Sequence, residues 1–92
     1  MNVPQIFEKH HDEYGEFNRI PECAKLHRRP DICALLYIDQ RFGGDDDIID
    51  CAEHDEYFID CDCSLLTEED VIYLCRCGFG YDSENDSLYS FV

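Results

Sequence analysis

Residues 43–92 carry 15 acidic side chains and a single base, Arg76, whereas residues 1–42 carry 7 acids and 6 bases. A segment with that imbalance must turn its anions to water and still find apolar faces to pack. It is therefore restricted to elements with one wet side and one dry side. The whole chain has 92 residues, a net charge of −15 and 45% hydrophobic residues. That apolar share is too high for a disordered acidic tail, and the length suits one small domain, 1–92. No run approaches the roughly 18 apolar residues of a membrane span. The start, Met1 to Lys9, lacks a basic opening followed by an apolar stretch, so no signal peptide is expected. The negative sign argues against gripping free DNA.

Breakers and periodicity divide the chain. Val3, Ile6, Phe7, His10 and Tyr14 follow helical spacing from Asn2 as cap, with Pro4 in the first turn and Gly15 as the stop. Pro21 and Pro30 bracket Glu22 to Arg29, which is predicted to form a two-turn helix. Asp31, an apolar set of Ile32, Leu35, Leu36 and Ile38, and Arg41 predict a third helix that Gly43-Gly44 ends. Period two follows. Tyr57, Ile59, Cys61 and Cys63 alternate with Glu56, Phe58, Asp60 and Asp62, which predicts a half-buried strand paired through His54-Asp55 with Ile48 to Glu53. Thr67-Glu68-Glu69-Asp70 is a helix start, and the helix it opens should turn Val71, Ile72, Leu74 and Cys75 inward and stop at Gly78. Phe79 to Tyr81 and Leu88 to Val92 then form a hairpin across Asp82 to Asp86. The expected class is α+β: N-terminal helices, then a β-β-α-β-β unit with a small antiparallel sheet.

Seven cysteines invite a disulfide or zinc reading. Without a secretion signal the thiols are expected to be reduced, and Cys23, Cys33, Cys51 and Cys75 read as small buried hydrophobes. Cys61, Cys63, Cys75 and Cys77 lack the two-residue gap of zinc ribbons. On a helix, positions 75 and 77 point about 200° apart, so the four converge only if Cys77 has left the helix. Asp45, Asp46, Asp47 and Asp50 lack the alternation and the glycine of a calcium loop. His10, His11, His27 and His54 have no placed nucleophile, and no phosphate loop, nucleophile elbow or HExxH is present. The expectation is a non-enzyme without cofactor or metal.

The acids fall into two classes. Glu68, Glu69, Asp70 and Asp31 belong to helix starts. Asp45, Asp46, Asp47, Asp50, Glu53, Asp55, Glu56, Asp60, Asp62, Asp82, Glu84 and Asp86 have no such role and form the expected partner-binding face. On the predicted strand Glu56, Asp60 and Asp62 share one side with Phe58, same-side neighbours lying about 6.8 Å apart. Such a row approaches the charge density of a phosphate backbone, though not its register, and attracts a surface built of Lys and Arg. Tyr57, Phe58, Tyr81 and Tyr89 divide between core and apolar anchors. Lys25, Arg28 and Arg29 read either as the positive end of a short helix or, with Arg19, as a small cationic patch for RNA or an acidic partner.

Arg29-Pro30-Asp31-Ile32-Cys33-Ala34-Leu35-Leu36 and Ala52-Glu53-His54-Asp55-Glu56 carry a resemblance. It extends through Thr67-Glu68-Glu69-Asp70-Val71, Arg76 to Ser83 and Asp86 to Val92, so that it spans about residues 5–92. The chain resembles a family of small proteins of temperate enterobacterial phages, in the branch of anti-CRISPR inhibitors of the type I-F surveillance complex. The resemblance implies binding to the guide-RNA-loaded CRISPR-Cas complex in the host bacterial cytoplasm. The contacts it implies are with backbone subunits and the large subunit, so that target DNA cannot pair with the guide. The residues alone also admit an acidic DNA-mimic decoy of another DNA-handling enzyme, or a small Cys-rich metal-binding protein.

Overall fold

The computed structural model describes residues 2–43, 48–53, 55–59 and 63–91, without the side chains of positions 50, 51 and 53. Helix α1 spans Val3–Lys9. The Asn2 side chain accepts from Gln5 N–H and the Gln5 side chain accepts from Asn2 N–H, both at 3.1 Å, so two end donors are satisfied reciprocally. The helix does not run on to Tyr14 as the spacing predicts. A 3₁₀ turn, His11–Glu13, replaces its last turn, and Tyr14 is extended. Contacts with the later helix draw the chain out: Gly15 N–H donates to the Cys75 carbonyl at 2.8 Å, and Arg76 donates to Glu13 at 2.7 Å.

The predicted two-turn helix over Glu22 to Arg29 is a single 3₁₀ turn, Glu22–Ala24, followed by bends. Pro30 restricts Arg29 to an extended backbone, φ −98° and ψ 130°, and the Tyr73 hydroxyl takes the Ala24 carbonyl at 2.7 Å. Helix α2, Pro30–Phe42, starts on that proline and ends at Gly43. Its buried residues are Cys33, Ala34 and Ile38, while the expected Ile32, Leu35 and Leu36 are only half-buried. The rotation brings Cys33, Tyr37 and Arg41, spaced by one turn, against the later helix: the Cys33 thiol meets the Tyr73 hydroxyl at 3.1 Å, and Tyr37 and Arg41 both reach Asp70.

Four antiparallel strands follow, β1 Ile49–Glu53, β2 Glu56–Ile59, β3 Gly80–Asp82 and β4 Ser87–Phe91, in the order β1-β2-β4-β3. Helix α3, Glu68–Arg76, separates the two hairpins in sequence. Of the expected strand to Cys63, Glu56–Ile59 is described as strand, positions 60–62 lie outside the described residues, and Cys63 itself opens a 3₁₀ turn, Cys63–Leu65. Phe58, expected between exposed acids, is 6% exposed and lies opposite Tyr89. The fold class is α+β.

The Thr67 hydroxyl accepts from Asp70 N–H while Asp70 accepts from Thr67 N–H, closing a capping box at the head of α3. Val71, Leu74 and Cys75 enter the core, but Ile72 is half-buried on the outer side. The C-terminus is a Schellman motif: Phe79 N–H donates to Leu74 O and Gly78 N–H to Cys75 O, both at 2.9 Å, with Gly78 at φ +89°. That reversal delivers Phe79, fully buried, to the centre of a cluster that includes Ile38, Ile59, Val71, Leu74 and Leu88.

Candidate partner-binding surface

The second hairpin shows how acids are placed. Asp82 accepts from Glu84 N–H and from the Asn85 side-chain amide, both at 2.9 Å, which closes the turn on itself. Asp86 takes the left-handed conformation at φ 48° and accepts from the Tyr81 hydroxyl, which pushes the Tyr81 pKa up to about 12. Asp82 and Asp86 therefore do have structural roles, contrary to the expectation from sequence. Glu84 is exposed at the hairpin tip, and Asp55 is exposed at the turn between β1 and β2. Glu56 stands directly opposite Phe91 across the central strand pair. A shallow groove of about 330 Å³ brings Glu56, Asp82 and Glu84 together along Tyr81, Ser83 and Tyr89.

Of the other acids assigned to this face, Asp50 and Glu53 lie on β1, where only the backbone is described. Asp45, Asp46, Asp47, Asp60 and Asp62 lie outside the described residues, as does Cys61. Within β2, only Glu56 remains of the proposed row of anions.

The cations are dispersed. Arg76, the single base of the acidic half, is turned toward the first half and donates its Nε to Glu13 at 2.7 Å. Arg19 donates to the other oxygen of Glu13 at 2.9 Å. The Arg76 hydrogen bond, with the charges of both arginines, holds the Glu13 carboxyl below its usual range. Lys25 pairs with Glu22 at 2.9 Å and lies 4.7 Å from the Phe17 ring centroid. Lys9 and His10 both reach Glu68, whose pKa falls chiefly through the His10 hydrogen bond. Arg28 and Arg29 are exposed, and among the described residues their side chains form no ion pair.

The macrodipole reading of Lys25, Arg28 and Arg29 falls with the helix it required. Arg28 and Arg29 precede the start of α2, where positive charge is unfavourable by about 0.3–1 kcal/mol each. The proposed patch of four is thus two engaged side chains, Arg19 and Lys25, and two with no ion pair among the described residues.

The cysteines divide differently than expected. Cys33, Cys75 and Cys77 are buried free thiols and Cys63 is buried, but Cys23 is exposed. Burial, with a smaller effect of the Glu13 charge, pushes the Cys75 pKa up to about 12, and burial also raises Cys77. Both effects oppose thiolate formation, the reverse of what a nucleophile requires. Among the described residues no group of three or more His, Cys, Asp or Glu side chains is placed to hold a metal ion. Of the histidines, His10 is bound to Glu68 at 2.8 Å, His11 to the Glu8 carbonyl at 2.9 Å, and His27 accepts from Arg29 N–H at 3.1 Å.

Two surface aromatic residues escaped the sequence reading. Tyr14 and Phe91 are 43% and 55% exposed, and they flank Tyr89. Tyr57 and Tyr81 instead pack inward, Tyr57 edge-on to Phe79 at 6.0 Å and Tyr81 stacked on Phe7 at 5.9 Å. No described helix is long and apolar enough to cross a membrane. In comparison with known proteins, the chain matches no family model, no curated protein and no solved structure.

Proposed function

We propose that this chain is a non-enzymatic phage inhibitor acting in the host bacterial cytoplasm. Its residues 43–92 present anions to a Lys/Arg-lined surface that otherwise holds nucleic acid. The partner is the guide-RNA-loaded type I-F CRISPR-Cas surveillance complex that the resemblance implies, and the contact keeps target DNA from the guide. The observation that carries this reading is the division of charge, 15 acids against one base in that half. The withdrawal of that base, Arg76, onto Glu13 adds support, because it leaves the described part of the sheet without a cation of its own. Complementary fields of this kind speed association and exclude wrong partners.

The anionic face comprises Asp45, Asp46, Asp47, Asp50, Glu53, Asp55, Glu56, Asp60, Asp62 and Glu84, with Asp82 and Asp86 serving the hairpin as well. Arg28 and Arg29 contact guide RNA or an adjoining acidic patch, since two exposed cations with no ion pair among the described residues are unfavourable ahead of a helix. Capture from a host lysate with the purified protein as bait, read by mass spectrometry and an RNA gel, tests the assignment. Backbone and large subunits should be retained together with guide RNA. Retention of a DNA-handling protein without RNA would instead identify a decoy for another enzyme.

A further inference from the structure

Tyr14, after the first 3₁₀ turn, and Tyr89 and Phe91 on β4 form a second, apolar concavity of about 410 Å³ beside the acidic groove. Its walls are Tyr14, Tyr89 and Phe91, and its floor is Phe7, Cys75 and Phe79. Tyr89 is held in place from below: it faces Gly80 across β3 and β4, and a Cβ at Gly80 would lie 2.8 Å from the ring. Glycine is therefore what allows the ring to lie against the backbone. Phe91 meets Tyr89 edge-on at 5.6 Å and 90°, so its exposed ring has a defined position. Tyr89 also lines the acidic groove, and Glu56 faces Phe91, so aromatic surface passes directly into carboxylates.

We infer that this aromatic cup is a seat for an arginine side chain of the partner protein. A guanidinium is flat, stacks on aromatic faces and stays charged, so it fits a site with rings on one side and carboxylates on the other. Charge complementarity selects this occupant. Among the described residues no Lys or Arg lines either concavity, and the titratable groups at the cup are His11 on its rim, Cys75 in its floor and the tyrosines in its walls. A wholly apolar segment would leave Glu56 and Glu84 unanswered, and a second copy would bring another half of net −14 against this one. The inference rests on the proposed function and narrows it, from attraction to a cationic surface to recognition of arginine.

Titration of the purified protein with hexa-arginine and hexalysine peptides at matched salt tests it. The account expects hexa-arginine to bind about 5-fold or more tightly than hexalysine, a difference of about 1 kcal/mol, because the flat, weakly hydrated guanidinium stacks on the rings and the strongly hydrated ammonium does not. Phe91→Ala should remove that preference and Phe91→Tyr keep it; the ring is exposed, so both variants should retain the fold, and circular dichroism checks this directly. Equal binding of the two peptides, or a preference that survives both Phe91→Ala and Tyr14→Ala, would overturn the arginine seat. So would a dimer in light scattering that Arg28→Glu with Arg29→Glu dissolves, because the occupant would then be a second copy. None of these results touches the capture of the ribonucleoprotein, so this inference and the function beneath it fail separately.

Discussion

Replacing Phe79 with alanine is expected to cost about 3–5 kcal/mol of folding stability, the range for emptying a fully buried aromatic site. A domain of this length has about 5–14 kcal/mol in all, by the usual stability per residue, and mutual repulsion among 22 acids places this one toward the lower end. The site has little freedom to collapse. Phe79 follows a Schellman turn whose backbone bonds to Leu74 and Cys75 fix its direction, and Tyr57 meets it edge-on. Urea unfolding followed by circular dichroism should show the midpoint fall by more than half at low salt. A loss below about 1 kcal/mol would contradict the placement of Phe79 at the core's centre.

Asp70 carries the second large effect. Its carboxylate is 1% exposed, yet it accepts from Tyr37 at 2.5 Å, from Arg41 at 3.1 Å and from Thr67 N–H at 2.9 Å. Burial resists ionisation and is the largest single influence. The bonds from Thr67 and Tyr37 and the Arg41 charge together outweigh it, holding the pKa below the ordinary value. A carboxyl whose pKa is lower folded than unfolded contributes stability above the unfolded value, about 3.9, and loses it as pH falls through the folded one. Asp70→Ala should therefore cost about 2–3 kcal/mol at pH 7, through the Tyr37 hydroxyl and Thr67 N–H left without a partner. The half-exposed Arg41 keeps the figure at that level, since its charge is partly screened. The gap between wild type and variant should narrow below about pH 4. An unchanged gap down to pH 2 would show that the fold does not lower the Asp70 pKa.

What was legible in the sequence was local chemistry with a local answer. The boxes at Asn2 and Thr67, the stops at Gly43 and Gly78 and the turn over Asp82 to Asp86 each need only residues within a few positions. Contacts across the chain decided the rest. Tyr14 left its helix because Gly15 and Glu13 bind the end of α3. Glu22 to Arg29 did not wind into two turns because Tyr73 holds the Ala24 carbonyl and Pro30 extends Arg29. The apolar side of α2 was read one step around the helix, since polar Tyr37 and Arg41 mark the packed side through their bonds to Asp70. The same limit applies to the surface. Alternation marked Glu56 as an acid on the outer side, but only the β2–β4 register sets it opposite Phe91, and only the chain's departure from α1 brings Tyr14 beside Phe91.

The central claim is that the acidic half is recognised by its charge. The most direct measurement is the affinity of the purified type I-F surveillance complex for this protein across a salt series, for wild type and for charge reversals at Asp45, Asp46, Asp47, Asp60 and Asp62. Screening shortens from about 10 Å at 0.1 M to about 3 Å at 1 M, so affinity should fall steeply with salt, the reversals should weaken it further, and target DNA should compete. Affinity indifferent to both salt and charge reversal would contradict the account.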